Sequence, residues 1–408
     1  MSEAAATGAL QGLRVIDLTQ MLAGPFCTMM LGDQGAEVIK IEPLSGDGTR
    51  EMGPFAPDDS LKAFGGYFQS VNRNKLSLAL DLKQPQGRDL LIGLVETAQV
   101  VVENYRAGVM ERLGLDYETL SARNPRLVYA SIRGFGDPRT GKSPYVDWPA
   151  FDVVAQAMGG IMAITGPDAE TPTKVGPGVG DIVPAIMAAY GIMAAVWRAE
   201  RSGEGQYVDV AMTDGVLSLC ERMLHQYSYE GKVPRPEGNR HPFLAPFGLL
   251  PAKDGVVALA CHNDAFWAEL ARLMGRPELA ADPRFQTRQS RLANQDALYA
   301  AVGAFTLRHT RRELMAILGG RVPFGPVFDV SDIAADPHFR VREMVVPLDH
   351  PGSRGKHAVA GVPVRMSRTP GGIRRRAPLL GEHTDQVLGG LGLSAAAIGQ
   401  LRAAGVLK

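Results

Sequence analysis

Three cysteines in 408 residues, Cys27, Cys220 and Cys261, stand far apart and in no paired spacing. That excludes a disulfide framework and a thiolate zinc site, and it points to a reducing compartment with the cytoplasm as the expected location. Net charge is missing as well. The 43 Lys and Arg balance 43 Asp and Glu, so no overall charge recruits nucleic acid or an anionic membrane surface. The longest apolar stretch, Ile182 to Trp197, contains Pro184 and is short for a membrane span, so it reads as a buried helix. The opening MSEAAATGALQG has no basic patch followed by an apolar run and does not read as a signal peptide. No internal repeat, low-complexity run or metal-ligand cluster stands out. What is present is ordinary globular composition, 45% hydrophobic and 21% charged. At this length, two domains or one large domain with an insertion are expected.

Taken in order, the chain alternates strands and helices. Leu13 to Leu18 reads as a buried strand, Pro25 to Gln34 as a helix with proline in its first turn, and Glu37 to Glu42 as a second strand. The pattern continues with strands at Leu76 to Leu80, Val100 to Glu103, Arg126 to Ile132 and Gln206 to Met212, separated by helical stretches at Pro85 to Ala98, Met110 to Leu113 and Tyr117 to Asn124. Such alternation predicts a parallel, doubly wound sheet, whose ligands bind in the loops after the strands. Those loops carry Arg50, Arg73, Lys75, Arg106, Arg112 and Arg133. Gathered on one rim, they would suit a phosphorylated ligand with a flat base; the plain alternative is solvated loop charge. The turn Thr19 to Pro25 places Ala23 and Gly24 just before a helix, but it is not GxGxxG and is weak as a phosphate signal alone. Beyond Pro234 to Pro251 the texture changes to a hairpin around Lys253-Asp254-Gly255 and amphipathic helices at Asp264 to Met274, Gln295 to Leu307 and Arg311 to Leu318.

The most unusual stretch runs from Lys174 to Asp214. Gly176, Pro177, Gly178 and Gly180 lead one acid, Asp181, into the first turn of an otherwise apolar helix. Local physics reads that carboxylate first as a helix cap that complements the positive end of the macrodipole.

Eight segments, among them LQGLRVIDLTQMLAGP, LGDQGAEVIKIEPLSGDGTR, NRNKLSLALDLKQPQG, VVVENYRAGVMERLGLDYETL, GVGD and RSGEGQYVDVAMTDG, resemble in order and separation those of the class III CoA-transferases, also called the CaiB/BaiF family. The resemblance spans essentially the whole chain. It implies that Asp181 is a nucleophile that takes coenzyme A from an acyl-CoA thioester to a free carboxylic acid, through a mixed anhydride and an aspartyl-CoA thioester. Only a carboxyl group can be nucleophile and acyl acceptor in one exchange. Backbone donors for the oxyanions and exclusion of water would be needed, and the glycine lead-in is expected to help with both. The resemblance further implies coenzyme A contacts at Ala23, Asn74, Lys75, Asn104, Tyr105 and Arg112. No permanently bound cofactor is implied.

Departures narrow the substrate. Leu22 replaces the glutamine of the formyl-CoA:oxalate branch and GLLPAKDGVV lacks its glycine run, so an oxalate-specific enzyme is not expected. Phe151 before Asp152 replaces the histidine of the racemase branch, which disfavours two-base racemisation. The segment GNRHPFLAPFG resembles members that use succinyl-CoA and small dicarboxylic acids, with Arg240 and His241 the candidates for a second carboxylate. The expected fold is an α/β protein: a Rossmann-like large domain from residues 1–229 and 341–408, a smaller inserted α+β domain over 230–340, and an intertwined homodimer. The expected partners are an acyl-CoA and a free acid, with no nucleic acid or membrane. Intramolecular transfer between the carboxyls of one dicarboxylate, 2-methylacyl-CoA racemisation and a catalytically dead CoA-binding scaffold are the competing readings.

Overall fold

The computed structural model describes residues 8–408 and resolves into two compact units. One comprises residues 8–161, 175–224 and 337–408; the other comprises 162–174 and 225–336.

The first unit is built on a six-stranded sheet: β1 (Arg14–Asp17), β2 (Glu37–Glu42), β3 (Lys75–Ala79), β4 (Val100–Glu103), β5 (Val128–Arg133) and β6 (Gln206–Ala211). Spatial order is β3-β2-β1-β4-β5-β6, and every pairing is parallel. A parallel sheet is covered on both faces, so its strands read as continuous apolar runs rather than alternating ones. The chain obeys this: Val100, Val101 and Val102 are all fully buried. Between the strands come α1 (Ala23–Asp33), α2 (Gly66–Asn72), α3 (Pro85–Glu96), α4 (Val109–Leu113) and α5 (Tyr117–Arg123). Of these, α2 is the one the sequence did not announce, because GYFQSVN has no polar face to set a helical period against.

After β5 follow α6 (Asp152–Met158), α7 (Val179–Ser202), α8 (Met212–Leu219) and α9 (Glu221–Glu230). The stretch Phe151 to Gly166, whose sequence reads as an apolar helix interrupted at Gly159-Gly160, is helical to Met158, breaks at those glycines and resumes only as a single 3-10 turn at Ile161–Ile164. Gly160 adopts a left-handed conformation, and a Cβ on Gly159 would lie 2.5 Å from that of Val216. Helix α7 buries Ala185, Ala188, Ile192, Ala195 and Ala199 in one core cluster with β1, β4 and β5. Small side chains there permit close packing on the sheet. It is long and apolar enough to cross a membrane by composition, yet one face is committed to this core. On the opposite sheet face, Leu91 and Leu94 of α3 pack with Ile16, Ile39 and Leu78, and the chain end closes over them with Leu388, Ile398 and Val406.

The second unit holds an antiparallel sheet of β7 (Phe247–Ala252), β8 (Gly255–Ala260) and β9 (Phe324–Pro326). Helices Asp264–Leu273, Gln295–Thr306 and Arg311–Leu318 pack on it through Trp267, Leu298, Phe305 and Leu314. Residues 162–174 are tied to this unit by the Gly238 amide, which donates to the Gly166 carbonyl at 3.0 Å.

Candidate active site

The order β3-β2-β1-β4-β5-β6 reverses direction between β1 and β4, and the loops leaving these two strands diverge there. A cavity of about 300 Å³ opens at that point. Its wall is formed by Gln20 to Ala23 after β1, Asn104 to Ala107 after β4, Ile132 to Gly134 after β5, the connector Val146 to Phe151, and Asp181 from α7.

The two diverging loops are pinned together. The Asn104 carboxamide accepts from the Gln20 amide at 2.8 Å and donates to the Gln20 carbonyl at 2.7 Å. Next along, Met21 takes a left-handed backbone (φ 67°), a conformation uncommon for a non-glycine residue. Helix α1 then starts at Ala23 with no side-chain cap, so its first amides face the cavity mouth. Gly24 is required here, since a Cβ would sit 2.2 Å from that of Thr19. Tyr105 donates its backbone amide to Glu103 at 2.7 Å, and burial pushes its phenol up to about 12.

Beneath the loops lies a layer of buried charge. Asp17 accepts from Lys75 at 2.9 Å, from Thr28 at 2.8 Å and from the Thr19 amide at 2.9 Å. Lys40 donates to the Thr19 carbonyl at 2.7 Å and to Asp47 at 3.0 Å. Arg50 grips Glu42 through two bonds of 2.7 Å, and Arg73 holds Asp33 at 2.7 and 3.0 Å. Arg133 bridges Glu103 at 2.6 Å and Asp137, joining the ends of β4 and β5. These contacts revise the rim of free cations expected from the sequence. Arg50, Arg73, Lys75 and Arg133 are all buried in ion pairs; only Arg106 and Arg112 are exposed. Lysine or arginine at a parallel strand end is here the partner of a carboxylate that could not be buried alone.

The residues singled out from the sequence therefore divide. Ala23, Asn104, Tyr105 and Asp181 line one cavity. Lys75 and Asn74 do not line it. Lys75 is fully enclosed with its ammonium satisfied by Asp17, Pro25 and Asn72. Asn74, also left-handed (φ 62°), donates to Asp33 and the Gly372 carbonyl and accepts from the Arg374 and Arg375 amides. Arg112 sits exposed on α4. Arg240 and His241 belong to the second unit, where they border an open apolar concavity with Phe247, Leu249 and Phe324. Arg240 pairs there with Asp296 at 2.6 Å and covers the Tyr299 ring.

Asp181 differs from every acid below it. It occupies the first turn of α7, yet the helix has no side-chain cap at Gly178. The cap reading gives way to another residue. Asp152 on α6 accepts the Gly180 amide at 2.8 Å and is itself held by Gln156, whose amide donates to both carboxylate oxygens at 2.9 Å. The Gln156 carbonyl takes the Val175 amide at 2.9 Å, which anchors the glycine and proline lead-in. This also revises the role given to Gly180: its amide is engaged by Asp152, and its missing Cβ, which would lie 2.6 Å from the Asp152 carbonyl, lets α7 approach α6. Asp181 is left partly buried and, among the described residues, without a cation, and desolvation together with the neighbouring Asp152 charge raises it to about 7. Tyr67 of α2 lies within the reach of the same charges; burial, then Asp181, Asp47 and Asp152, raise its phenol to about 12. Gln156 and Tyr67 were not singled out from the sequence, and Asp152 was noted there only as the residue that follows Phe151.

A family model described as CoA-transferase family III matches residues 10–384. Succinyl-CoA:mesaconate CoA-transferase of Haloarcula hispanica is 50% identical over 384 residues, 93% of this chain and 96% of the relative. Acetyl-CoA:oxalate CoA-transferase of Acetobacter aceti is 42% identical over 363 residues, 88% of this chain and 90% of the relative. A solved CaiB/BaiF family protein from Brucella suis superposes with TM-score 0.84 at 36% identity, covering 94% of this chain and 100% of that one.

Proposed function

The chain belongs to CoA-transferase family III, and from its site we propose that it moves coenzyme A from succinyl-CoA or a similar dicarboxylyl-CoA to a short-chain dicarboxylic acid, with Asp181 as nucleophile. One observation carries this reading: Asp181 lines the switch-point cavity from the first turn of α7 and forms no ion pair among the described residues, and burial beside Asp152 raises it to about 7.

The reaction needs no net proton transfer. The Asp181 carboxylate attacks the thioester carbonyl, the C–S bond breaks, and coenzyme A leaves as thiolate, giving a mixed anhydride. The thiolate attacks the Asp181 carbonyl carbon, forming the aspartyl thioester and releasing the donor acid as carboxylate. The acceptor carboxylate attacks that thioester and the thiolate leaves again. Finally the thiolate attacks the acceptor's acyl carbon, and Asp181 is regenerated. A carboxylate stripped of cations and part of its water is the more reactive nucleophile, and a closed cavity limits hydrolysis of both intermediates. Ala23 and the first turn of α1 would hold the coenzyme's polar chain, Asn104 would keep the two loops in register, Tyr105 would flank the thioester arm, and Arg106 and Arg112 would meet phosphates.

The C4 and C5 dicarboxylates are favoured because the mesaconate enzyme is the more similar relative and Leu22 and GLLPAKDGVV depart from the formyl-CoA:oxalate pattern. Arg240 and His241 would receive the distal carboxylate. A homodimer is also proposed. Phe151, Tyr190 and Trp197 of the first unit are 59%, 78% and 63% exposed, an apolar display that a second subunit would cover.

The test is incubation with succinyl-CoA, with and without added mesaconate, itaconate or glutarate. A new CoA ester formed only with the added acid supports intermolecular transfer. An unsymmetrical thioester such as mesaconyl-CoA that isomerises without added acid means intramolecular transfer, and deuterium uptake at the α-carbon of a 2-methylacyl-CoA in heavy water means racemisation.

A further inference from the structure

Asp152 is partly buried and held by specific hydrogen bonds. Its carboxylate ties three things: the Gly180 amide at the start of α7, the Gln156 side chain of its own helix, and through Gln156 the backbone at Val175. Gln156 is fully buried. A Cβ at Gly180 would strike both the Asp152 carbonyl (2.6 Å) and Ala155 (3.0 Å), so the close approach of the two helices is built into the sequence.

We propose that Asp152 is a positioning residue for this reaction: it caps α7 from the neighbouring helix and sets a fixed negative charge against Asp181, biasing Asp181 toward its uncharged acylated forms. The inference rests on Asp181 being the nucleophile. Ionised Asp181 faces a second carboxylate at close quarters. Conversion to the anhydride or the thioester removes one of the two charges, so the repulsion present in the free enzyme is relieved when the covalent intermediates form. A cap made by a neutral side chain would hold the helix start equally well but would not supply this bias.

The groups that face Asp181 from the surrounding elements are few. Asp152 comes from α6 and Tyr67 from α2; Tyr105, Arg106, Arg133 and Asp147 border the same cavity. Arg133 is committed to Glu103 and Asp137, and Arg106 and Asp147 are exposed. Asp214, in the first turn of α8, is exposed as well. Burial first and then the Asp152 charge raise Asp181 to about 7.

The experiment is the pH profile of kcat/KM for Asp152→Asn beside the parent enzyme, with hydroxylamine trapping of the acylated protein in each. Asparagine keeps an acceptor for the Gly180 amide and removes the charge. The parent should lose activity as pH falls through about 7, when Asp181 takes up its proton. In Asp152→Asn this acid limb should move down by at least one pH unit, the steady-state fraction trapped on Asp181 should fall several-fold, and the folded state should persist by circular dichroism. Asp152→Ala, which also removes the cap, should lower kcat further with the same displaced limb. An acid limb unchanged in Asp152→Asn, with the trap still on Asp181, would overturn the role of Asp152 and leave the nucleophile intact. A parent enzyme that is not trapped on Asp181 would overturn the functional reading itself.

Discussion

Asp17 and Asp181 are acids of the same unit, each near the end of the sheet where strands β1 and β4 part, and they are treated in opposite ways. Asp17 is fully buried and meets Lys75, Thr28 and the Thr19 amide; although burial opposes its charge, Lys75 and Lys40 hold it below the ordinary range. Asp181 is less buried but has no cation and faces another acid, and it is raised to about 7. The carboxylate that supports structure is given a partner, whereas the one proposed as nucleophile is left without. Burial alone does not separate the two; partnership does.

The largest effect expected from breaking this contrast is at Asp181. Asp181→Ala or Asp181→Asn should lower kcat by at least roughly 10³-fold, because the covalent route is removed and no other group replaces it. The same change should make the protein more stable above pH 7. The sign follows from linkage: with its proton affinity raised by folding, Asp181 holds protons that the unfolded chain releases, so its contribution to stability falls as pH rises from about 4 to about 7 and stays low above. Discounting for partial solvent access, the gain in Asp181→Asn at pH 8 is on the order of 1–3 kcal/mol. Thermal unfolding of the two proteins at pH 5 and pH 8 checks it.

At Asp17 the outcome should be reversed. Lys75→Met strands a buried carboxylate and should cost about 3–5 kcal/mol. Replacing Asp17 and Lys75 together with apolar residues should recover much of that loss, in a double-mutant cycle read by denaturant unfolding. Asn104→Ala removes the two bonds that join the diverging loops. A loss of about 1–2 kcal/mol and a rise of roughly tenfold in KM for the acyl-CoA are expected, with kcat less affected. The smallest effect belongs to Arg240→Ala. Its partner Asp296 is solvent-exposed, so stability should change by less than about 1 kcal/mol, while KM for a dicarboxylate acceptor should rise several-fold and that for a monocarboxylate should not.

The sheet was open to sequence reading because parallel strands must be apolar throughout. Glu37–Glu42 and Val100–Glu103 were read with their observed limits, and the others differ by one or two residues at their ends. Their alternation with helices pointed to the loops after the strands, and the family resemblance singled out Ala23, Asn104 and Tyr105 within them. Side-chain pairing was not open in the same way. A lysine beside a strand looks identical in sequence whether it meets phosphate or, like Lys75 at the start of β3, an aspartate 58 residues away. Nor does a sequence reveal that Asp152 caps a helix that begins 27 residues later. Capping across helices depends on the approach of α6 and α7, which the glycines permit but do not announce. Asp181 drew attention through its setting among glycines and apolar residues, but local rules alone would have left it a cap.

The most direct measurement of the central claim is mass analysis of peptides after incubation with succinyl-CoA and hydroxylamine in the absence of acceptor. A hydroxamate confined to the peptide carrying Asp181, and absent from Asp181→Asn, is the predicted result. Modification at another carboxylate, or sustained transfer with Asp181 unmodified, would contradict it.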